Sequence, residues 1–255
     1  MTEPGYPPPP PPNEPPPPGD VYGGPPPTPP GPPPGGAAVP LPWENREQIG
    51  FFPALFETVK LFVTAPSEAY ARARERGDYM SPLLFAVLIG WVMAVIGQIW
   101  GLLFQGAWIS MMPAEMRDQI GPMLAGGGVG FVVNLIFAPV IIVIVLFIVS
   151  AIFHLFLMML GGHKQSAAGF EGTFRAVSYA QVASLAQIIP VFGGLIALVW
   201  SIVLYVIGLA RLHRTTQGKA AGAVLLPIVL CCVCVVVVMI AAFGTIMAAL
   251  SGEMQ

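Results

Sequence analysis

Charged residues are scarce in this sequence. They make up 9% of the 255 residues, whereas hydrophobic residues make up 55%, and an ordinary soluble domain is roughly one quarter charged. This composition excludes a soluble domain and indicates an integral membrane protein. The net charge of −2 and the dispersed basic residues also argue against nucleic acid as a partner.

The residue sets of common catalytic and metal chemistry are lacking as well. The three cysteines, at 231, 232 and 234, share one apolar run, where they cannot form a disulfide framework. Gly218-Lys219 lacks the earlier glycine and the following hydroxyl of a phosphate-binding loop. No paired Asp, Ser–His or His–Glu pattern suits a membrane enzyme. We therefore expect no enzymatic activity, no cofactor and no metal.

Proline is concentrated near the N-terminus, where 21 of the 29 prolines precede Trp43. Because proline has no N–H for a helix or a sheet, residues 1–42 are predicted to form a disordered, partly polyproline-II tail. The tail lacks the basic and apolar pattern of a cleavable signal peptide. We interpret it as a spacer, with a docking tail for a proline-recognising domain as the alternative.

Residues 43–81 are predicted to form two amphipathic helices beside the membrane on the cytoplasmic side. Residues 49–63 place aromatic and aliphatic side chains at helical spacing, as in a helix that lies at the lipid interface. A second helix is predicted over 67–77, with Ser67 as its N-cap and Gly77 as its stop signal.

Long hydrophobic runs define the rest of the chain. Residues 82–105, 129–160 and 220–250 each suit one membrane-spanning helix. The region 174–210 is interrupted by the sequence IPVFGG, which begins at Ile189. It forms either two short spans in a hairpin, or one span preceded by an interfacial or re-entrant helix.

The positions of the basic residues favour five spans, since cytoplasmic loops carry an excess of Lys and Arg. With five spans and a cytoplasmic N-terminus, only Arg117 of the 11 basic residues lies outside. The other ten lie on cytoplasmic segments: Arg46, Lys60, Arg72, Arg74, Arg76, Lys164, Arg175, Arg211, Arg214 and Lys219. The predicted fold is an all-α integral membrane protein, with a disordered Pro-rich N-terminal tail and a five-span transmembrane helical bundle over 82–250.

Small and polar residues within the spans predict how the helices associate. Rows of small residues read as helix contact faces within one chain, with a homodimer face as the alternative. The rows are Gly97 and Gly101; Ala176, Ala180 and Ser184; Gly193, Ala197 and Ser201; and Gly244 and Ala248. The polar residues predicted to form hydrogen bonds across helices are Gln98, Asn134, His154, Gln181 and Gln187. The alternative is a polar pathway through the spans, with His154 as a proton relay. An ion pair is expected between Glu171 and Arg175, at i,i+4 spacing.

Two stretches of the sequence carry a resemblance to a known family. The first, 58–90, contains Asp78 and Pro82 ahead of an apolar run. The second, 161–227, has a distinctive set of spaced residues: Phe174-Arg175, Tyr179, Pro190, Gly193, Trp200, Gly208-Leu209, His213, Thr215 and Gly218-Lys219-Ala220. Together they resemble the Yip1 domain family, particularly its bacterial branch.

The resemblance implies a five-span α-helical domain with a cytoplasmic N-terminus. Eukaryotic members of the family act in vesicle trafficking and bind small GTPases of the Rab type through cytoplasmic regions. The poly-Pro tail differs from the N-terminal region of those members. The implied location is the bacterial inner (plasma) membrane, with the C-terminus outside.

The predicted function is that of a non-enzymatic membrane scaffold or adaptor in membrane organisation or trafficking. Its expected partners are the lipid bilayer and an unidentified membrane or cytoplasmic protein, with a homo-oligomer as an alternative. The candidate cytoplasmic interaction surface comprises Arg72, Arg74, Arg76, Arg211, His213, Arg214 and Lys219. The alternative function is a transporter, channel or lipid-moving protein that uses the IPVFGG break. The shortage of Asp, Glu and Lys deep in the spans argues against that alternative.

Overall fold

The computed structural model describes residues 39–252 apart from 115, 118–126 and 165, and every regular element in these residues is a helix. Short segments come first: the 3₁₀ helix η1 (Pro42–Asn45), α1 (Arg46–Ile49), α2 (Phe51–Thr64) and α3 (Pro66–Arg72). The longer helices are α4 (Met80–Ser110), α5 (Gly127–Met159), α6 (Gly169–Tyr179), the 3₁₀ helix η2 (Ala180–Ile188), α7 (Gly193–Leu212) and α8 (Gln217–Gly252). The predicted tail, up to residue 38, lies outside the described residues.

Four of the described helices are long and apolar enough to cross a membrane. They are Met80–Ser110, Gly130–Met159, Gly193–Leu212 and Gln217–Thr245. The helices predicted at 82–105, 129–160 and 220–250 are confirmed, with ends that differ by several residues. The ambiguous region, 174–210, folds back on itself: η2 packs against α7 and is joined to it by the turn at 189–192.

The two amphipathic helices predicted before the first span correspond to α2 and α3. The amphipathic helix α2 is confirmed and buries Ala54, Thr58 and Phe62, while several of its aromatic side chains stay exposed. Helix α3 begins at Pro66, so the prediction that Ser67 is its N-cap is wrong. It also ends at Arg72 and not near Gly77, because Ala73 adopts an extended backbone with ψ 139°.

The core lies at one end of the bundle, which we call the capped end. It consists of residues 41–78, the turn at 160–168, the turn at 213–216 and the adjoining helix ends. Four aromatic rings from α2, α3, α4 and α6 pack together there, with centroids 4.9–6.4 Å apart: Phe62, Tyr70, Phe85 and Tyr179. All four side chains are fully buried. The segments before the first span are therefore part of the fold.

The opposite halves of three helices have few neighbours. We call these residues, 97–110 of α4, 130–145 of α5 and 229–245 of α8, the open end. Their side chains are mostly exposed, and a Cβ added at Gly97, Gly101 or Gly244 would meet nothing within 4 Å. The prediction that these glycines form helix contact faces within the chain is therefore wrong. Gly193 and Gly208 do lie at close contacts.

Candidate functional site

Arg175 of α6 is the centre of a buried polar network at the capped end. Its Nη1 donates to Glu44 Oε1 at 2.7 Å, and its Nη2 donates to Glu171 Oε1 at 2.9 Å. Nη2 also donates to the carbonyl oxygen of Asp78 at 2.6 Å. The side chains of Arg175 and Glu44 are 0% and 1% exposed. The predicted Glu171–Arg175 ion pair is confirmed, but the guanidinium also binds two segments far away in sequence.

Glu44 links the N-terminal segments to the bundle. Its Oε1 accepts a hydrogen bond from the Tyr179 hydroxyl at 2.8 Å, and its Oε2 accepts one from the backbone N–H of Arg74 at 3.0 Å. The Arg74 Nε lies 3.8 Å from the same carboxylate. The cations of Arg175 and Arg74 thus offset the carboxylates of Glu44 and Glu171. A buried ionic cluster requires such pairing of its charges. This network is suited to holding η1 and α3 in place, because all its charged groups are paired.

Asp78 and Trp43 fix the beginning of α4. The Asp78 carboxylate accepts hydrogen bonds from the backbone N–H groups of Met80 and Ser81 at 2.6 and 3.0 Å, and from the Ser81 hydroxyl. Burial acts to raise the pKa of Asp78, but these hydrogen bonds and the Arg175 charge outweigh it and lower the pKa. The Trp43 indole N–H donates to the carbonyl oxygen of Ser81 at 2.6 Å.

Two histidines and a threonine form a second buried cluster. The Thr173 hydroxyl lies 2.8 Å from His154 Nδ1 and 2.9 Å from His213 Nε2, which joins α5, α6 and the end of α7. The hydrogen-bonded packing role predicted for His154 is confirmed. Burial, and then the neighbouring His154 and His163, lower the pKa of His213 to about 4, so it is neutral at pH 7.

His213 therefore does not belong to an exposed surface. Its side chain is 0% exposed, because the turn after α7 folds it inward against Thr173. The sequence placed it with its basic neighbours, since adjacency along the chain does not reveal which way a turn directs each side chain.

The remaining six residues of the predicted surface lie at the capped end. Two contacts join the segment 67–76 to the end of α7 and the turn after it: Arg211 Nε donates to Ser67 Oγ at 2.8 Å, and Arg214 Nε donates to Glu75 Oε1 at 3.0 Å. Lys219 Nζ donates to the carbonyl oxygen of Gly161 at 3.4 Å. The structure thus brings the two predicted basic segments together.

These basic side chains differ in exposure and pairing. Arg74, Arg76, Arg211, Arg214 and Lys219 are exposed, whereas Arg72 is half-buried. Arg72 pairs with Glu68 along the same helix. A recess of about 380 Å³ lies between Ala210 and Gln217 and is lined by Arg211, Arg214 and Thr215. We call the five exposed residues the basic face.

Sequence reasoning missed the roles of Trp43 and Glu44. Glu44 lies 131 residues from Arg175, so no local spacing connects them. One signal was present: an arginine at the entry of an apolar segment needs more acceptors than Glu171 alone provides.

One comparison with known proteins identifies a family. The family model described as the Yip1 domain matches residues 59–239. No curated protein matches the sequence, and no solved structure matches the fold.

Proposed function

The chain belongs to the Yip1 domain family, and from this premise we propose that it is a non-enzymatic membrane scaffold or adaptor in membrane organisation or trafficking. The observation that carries the proposal is the basic face. Two distant segments, 67–76 and 211–219, meet there and present five exposed cations, while much of the remaining exposed surface is apolar. Its partner is a membrane or cytoplasmic protein with an acidic surface, and anionic headgroups add to the attraction.

Five crossings fit the order of contacts along the chain. The beginning of α4, the turn at 160–168 and the turn at 213–216 all lie at the capped end, as the Asp78–Glu171 and Thr173–His213 contacts require. Val191 instead lines a recess with Trp108, near the opposite end of α4. These positions support a path for the segment α6–η2 from one end of the bundle to the other. At about 1.5 Å per residue in α6 and 2.0 Å in η2, it is roughly 34 Å long, enough for a hydrocarbon core of about 30 Å.

The proposed orientation places the capped end in the cytoplasm of a bacterial cell, at the plasma membrane, and the C-terminus outside. The basic residues support this, because the capped end holds most of them. Reporter fusions after Gln217 and after Gln255 test it. The first should report the cytoplasm and the second the outside. The reverse result would contradict the orientation, and the same side for both would contradict an odd number of crossings after residue 217.

Partner recovery tests the adaptor function. In-membrane crosslinking with mass spectrometry should recover a protein partner from the full-length chain. Combined charge reversal of Arg211, Arg214 and Lys219 to Glu should lower that recovery without loss of insertion. Arg117→Glu is the control, because Arg117 lies beyond the far end of α4, against Ser110 and Met112. Equal recovery of the partner from both variants would show that the basic face does not bind it.

Deletion of residues 2–38 separates the tail from the basic face. This deletion leaves Leu41 in place, whose backbone N–H donates to the carbonyl oxygen of Arg72. A partner that is retained on deletion and lost on charge reversal supports the proposal. A partner lost only on deletion would make the tail the functional end.

A further inference from the structure

A polar cleft lies between η2 and α7. It has a volume of about 280 Å³, and its lining includes two glutamines, two serines and a tyrosine: Gln181, Ser184, Gln187, Ser201 and Tyr205. Small residues such as Ala183 and Ala197 leave the space between these side chains. At about 30 Å³ per water molecule, the cleft could hold on the order of nine waters.

The cleft lies at membrane depth. It follows α7 from Gly194 to Tyr205, a distance of roughly 16 Å at 1.5 Å per residue, which is about half the hydrocarbon thickness of about 30 Å. The Gln181 amide packs against the middle of α4, where a Cβ added at Gly90 would lie 3.0 Å from its Nε2. Leu198, which lines the cleft, is 57% exposed, as expected for an apolar side chain in contact with lipid.

Several polar groups in the cleft have capacity left for a ligand. Ser184 and Ser201 donate to the carbonyl oxygens of Gln181 and Leu198. The side-chain amides of Gln181 and Gln187 and the hydroxyl of Tyr205 have no hydrogen-bond partner among the described residues. In hydrocarbon each such group costs free energy unless water or a ligand satisfies it.

The nine-residue 3₁₀ helix η2 is a further sign of a special site. Runs longer than three or four residues are uncommon, and a longer run inside a helical path often marks a functional hinge. The 3₁₀ geometry extends the chain from Ala180 to Ile188 alongside α7. Irregular backbone at membrane depth is tolerated where it is buried in protein or lines a cavity.

We propose that the cleft binds the polar part of a bilayer lipid, whose acyl chains stay in the surrounding hydrocarbon. The lining contains donors for the ester and phosphodiester oxygens and no charged side chain. It therefore suits a zwitterionic headgroup better than one with a net charge, because a net charge would lack a counter-ion there. This lipid site is independent of the basic face and adds a lipid-handling role to the scaffold.

Lipid photocrosslinking tests the site. The full-length protein is reconstituted in vesicles of phosphatidylethanolamine and phosphatidylglycerol, with a trace of phosphatidylcholine that carries a photoreactive group on its headgroup. Mass spectrometry should map adducts to 180–188 and 194–205. The combined variant Gln181→Leu, Gln187→Leu and Tyr205→Phe should lower their yield about tenfold, because it removes three hydrogen-bond donors. Gln98→Leu is the matched control and should leave the yield unchanged.

Two further variants keep the test decisive. Tyr205→Phe alone removes one oxygen and little volume, and it should lower the yield about two- to fivefold even if the combined variant fails to fold. In a background without the native cysteines, Ser201→Cys tests whether a second copy of the chain fills the cleft. Efficient disulfide formation between copies would overturn the lipid site, as would adducts that map elsewhere or that are insensitive to the cleft variants.

Discussion

The two ends of the bundle are built on different principles. At the capped end, short helices and the ends of longer ones bury aromatic rings, an arginine and its carboxylates. At the open end, α8 from 229 to 245 is exposed along its whole length. Hydrocarbon solvates apolar side chains as well as another helix does, so apolar residues alone give little drive for helix association. The difference shows that packing and polar contacts, and not hydrophobicity, hold this fold together.

The largest effect is expected from removing the centre of the network. Arg175→Met leaves the carboxylates of Glu44 and Glu171 without their main cation, and breaking such a buried pair costs about 3–5 kcal/mol. We expect a large fall in the thermal midpoint in detergent. Adding Glu44→Gln should restore part of it.

Arg117→Met serves as the control at the other end of α4. Arg117 is exposed, and among the described residues its guanidinium donates only to nearby backbone carbonyls, so the midpoint should hardly move. Equal losses from the two arginine variants would show that the network does not hold the capped end.

A change of pH should alter the stability of the capped end through His213. Its pKa of about 4 in the fold lies below its ordinary value of 6.5, so the unfolded chain takes up the proton first as the pH falls. The free energy of unfolding should therefore decrease by up to about 3 kcal/mol as the pH falls from about 6.5 to about 4. Below about pH 4 His213 should cause no further decrease. His213→Gln should flatten this part of the profile. A decrease that persists unchanged in the variant would assign it to other groups.

Two glycines sharpen the comparison between the ends. A Cβ at Gly208 would lie 2.7 Å from the Tyr70 ring and 3.0 Å from Ala176 Cβ, whereas one at Gly101 would meet nothing within 4 Å. Gly208→Ala should destabilise the protein by about 1–3 kcal/mol through overpacking. Gly101→Ala should be neutral or slightly stabilising, by at most about 1 kcal/mol, because alanine favours the helix. Thermal midpoints in one detergent distinguish them, and a reversed order would place the packed face at the open end.

The smallest effect is expected for the cysteines of α8. All three are exposed in the helix, so replacement by alanine should change stability by less than about 0.5 kcal/mol. A lipid-soluble thiol reagent should label them in vesicles, and a charged, water-soluble one should not. Protection from both reagents would mean that protein and not lipid covers this part of α8.

The sequence predicted those features that depend on neighbouring residues. Run lengths located the long helices, and the i,i+4 spacing identified the Glu171–Arg175 pair. The GxxxG spacing at Gly97 and Gly101 was misleading, because spacing permits a close helix contact without supplying a partner helix. The inward direction of His213 and the role of Glu44 depend on contacts between distant segments, which no local pattern contains.

A photocrosslinking amino acid placed at two positions of α8 distinguishes the two ends of the bundle. Lys219 lies on the basic face, and Val236 lies at the open end of the same helix. In native membranes, we expect protein adducts from position 219 and lipid adducts alone from position 236. Protein adducts from 236 and none from 219 would contradict the difference between the ends.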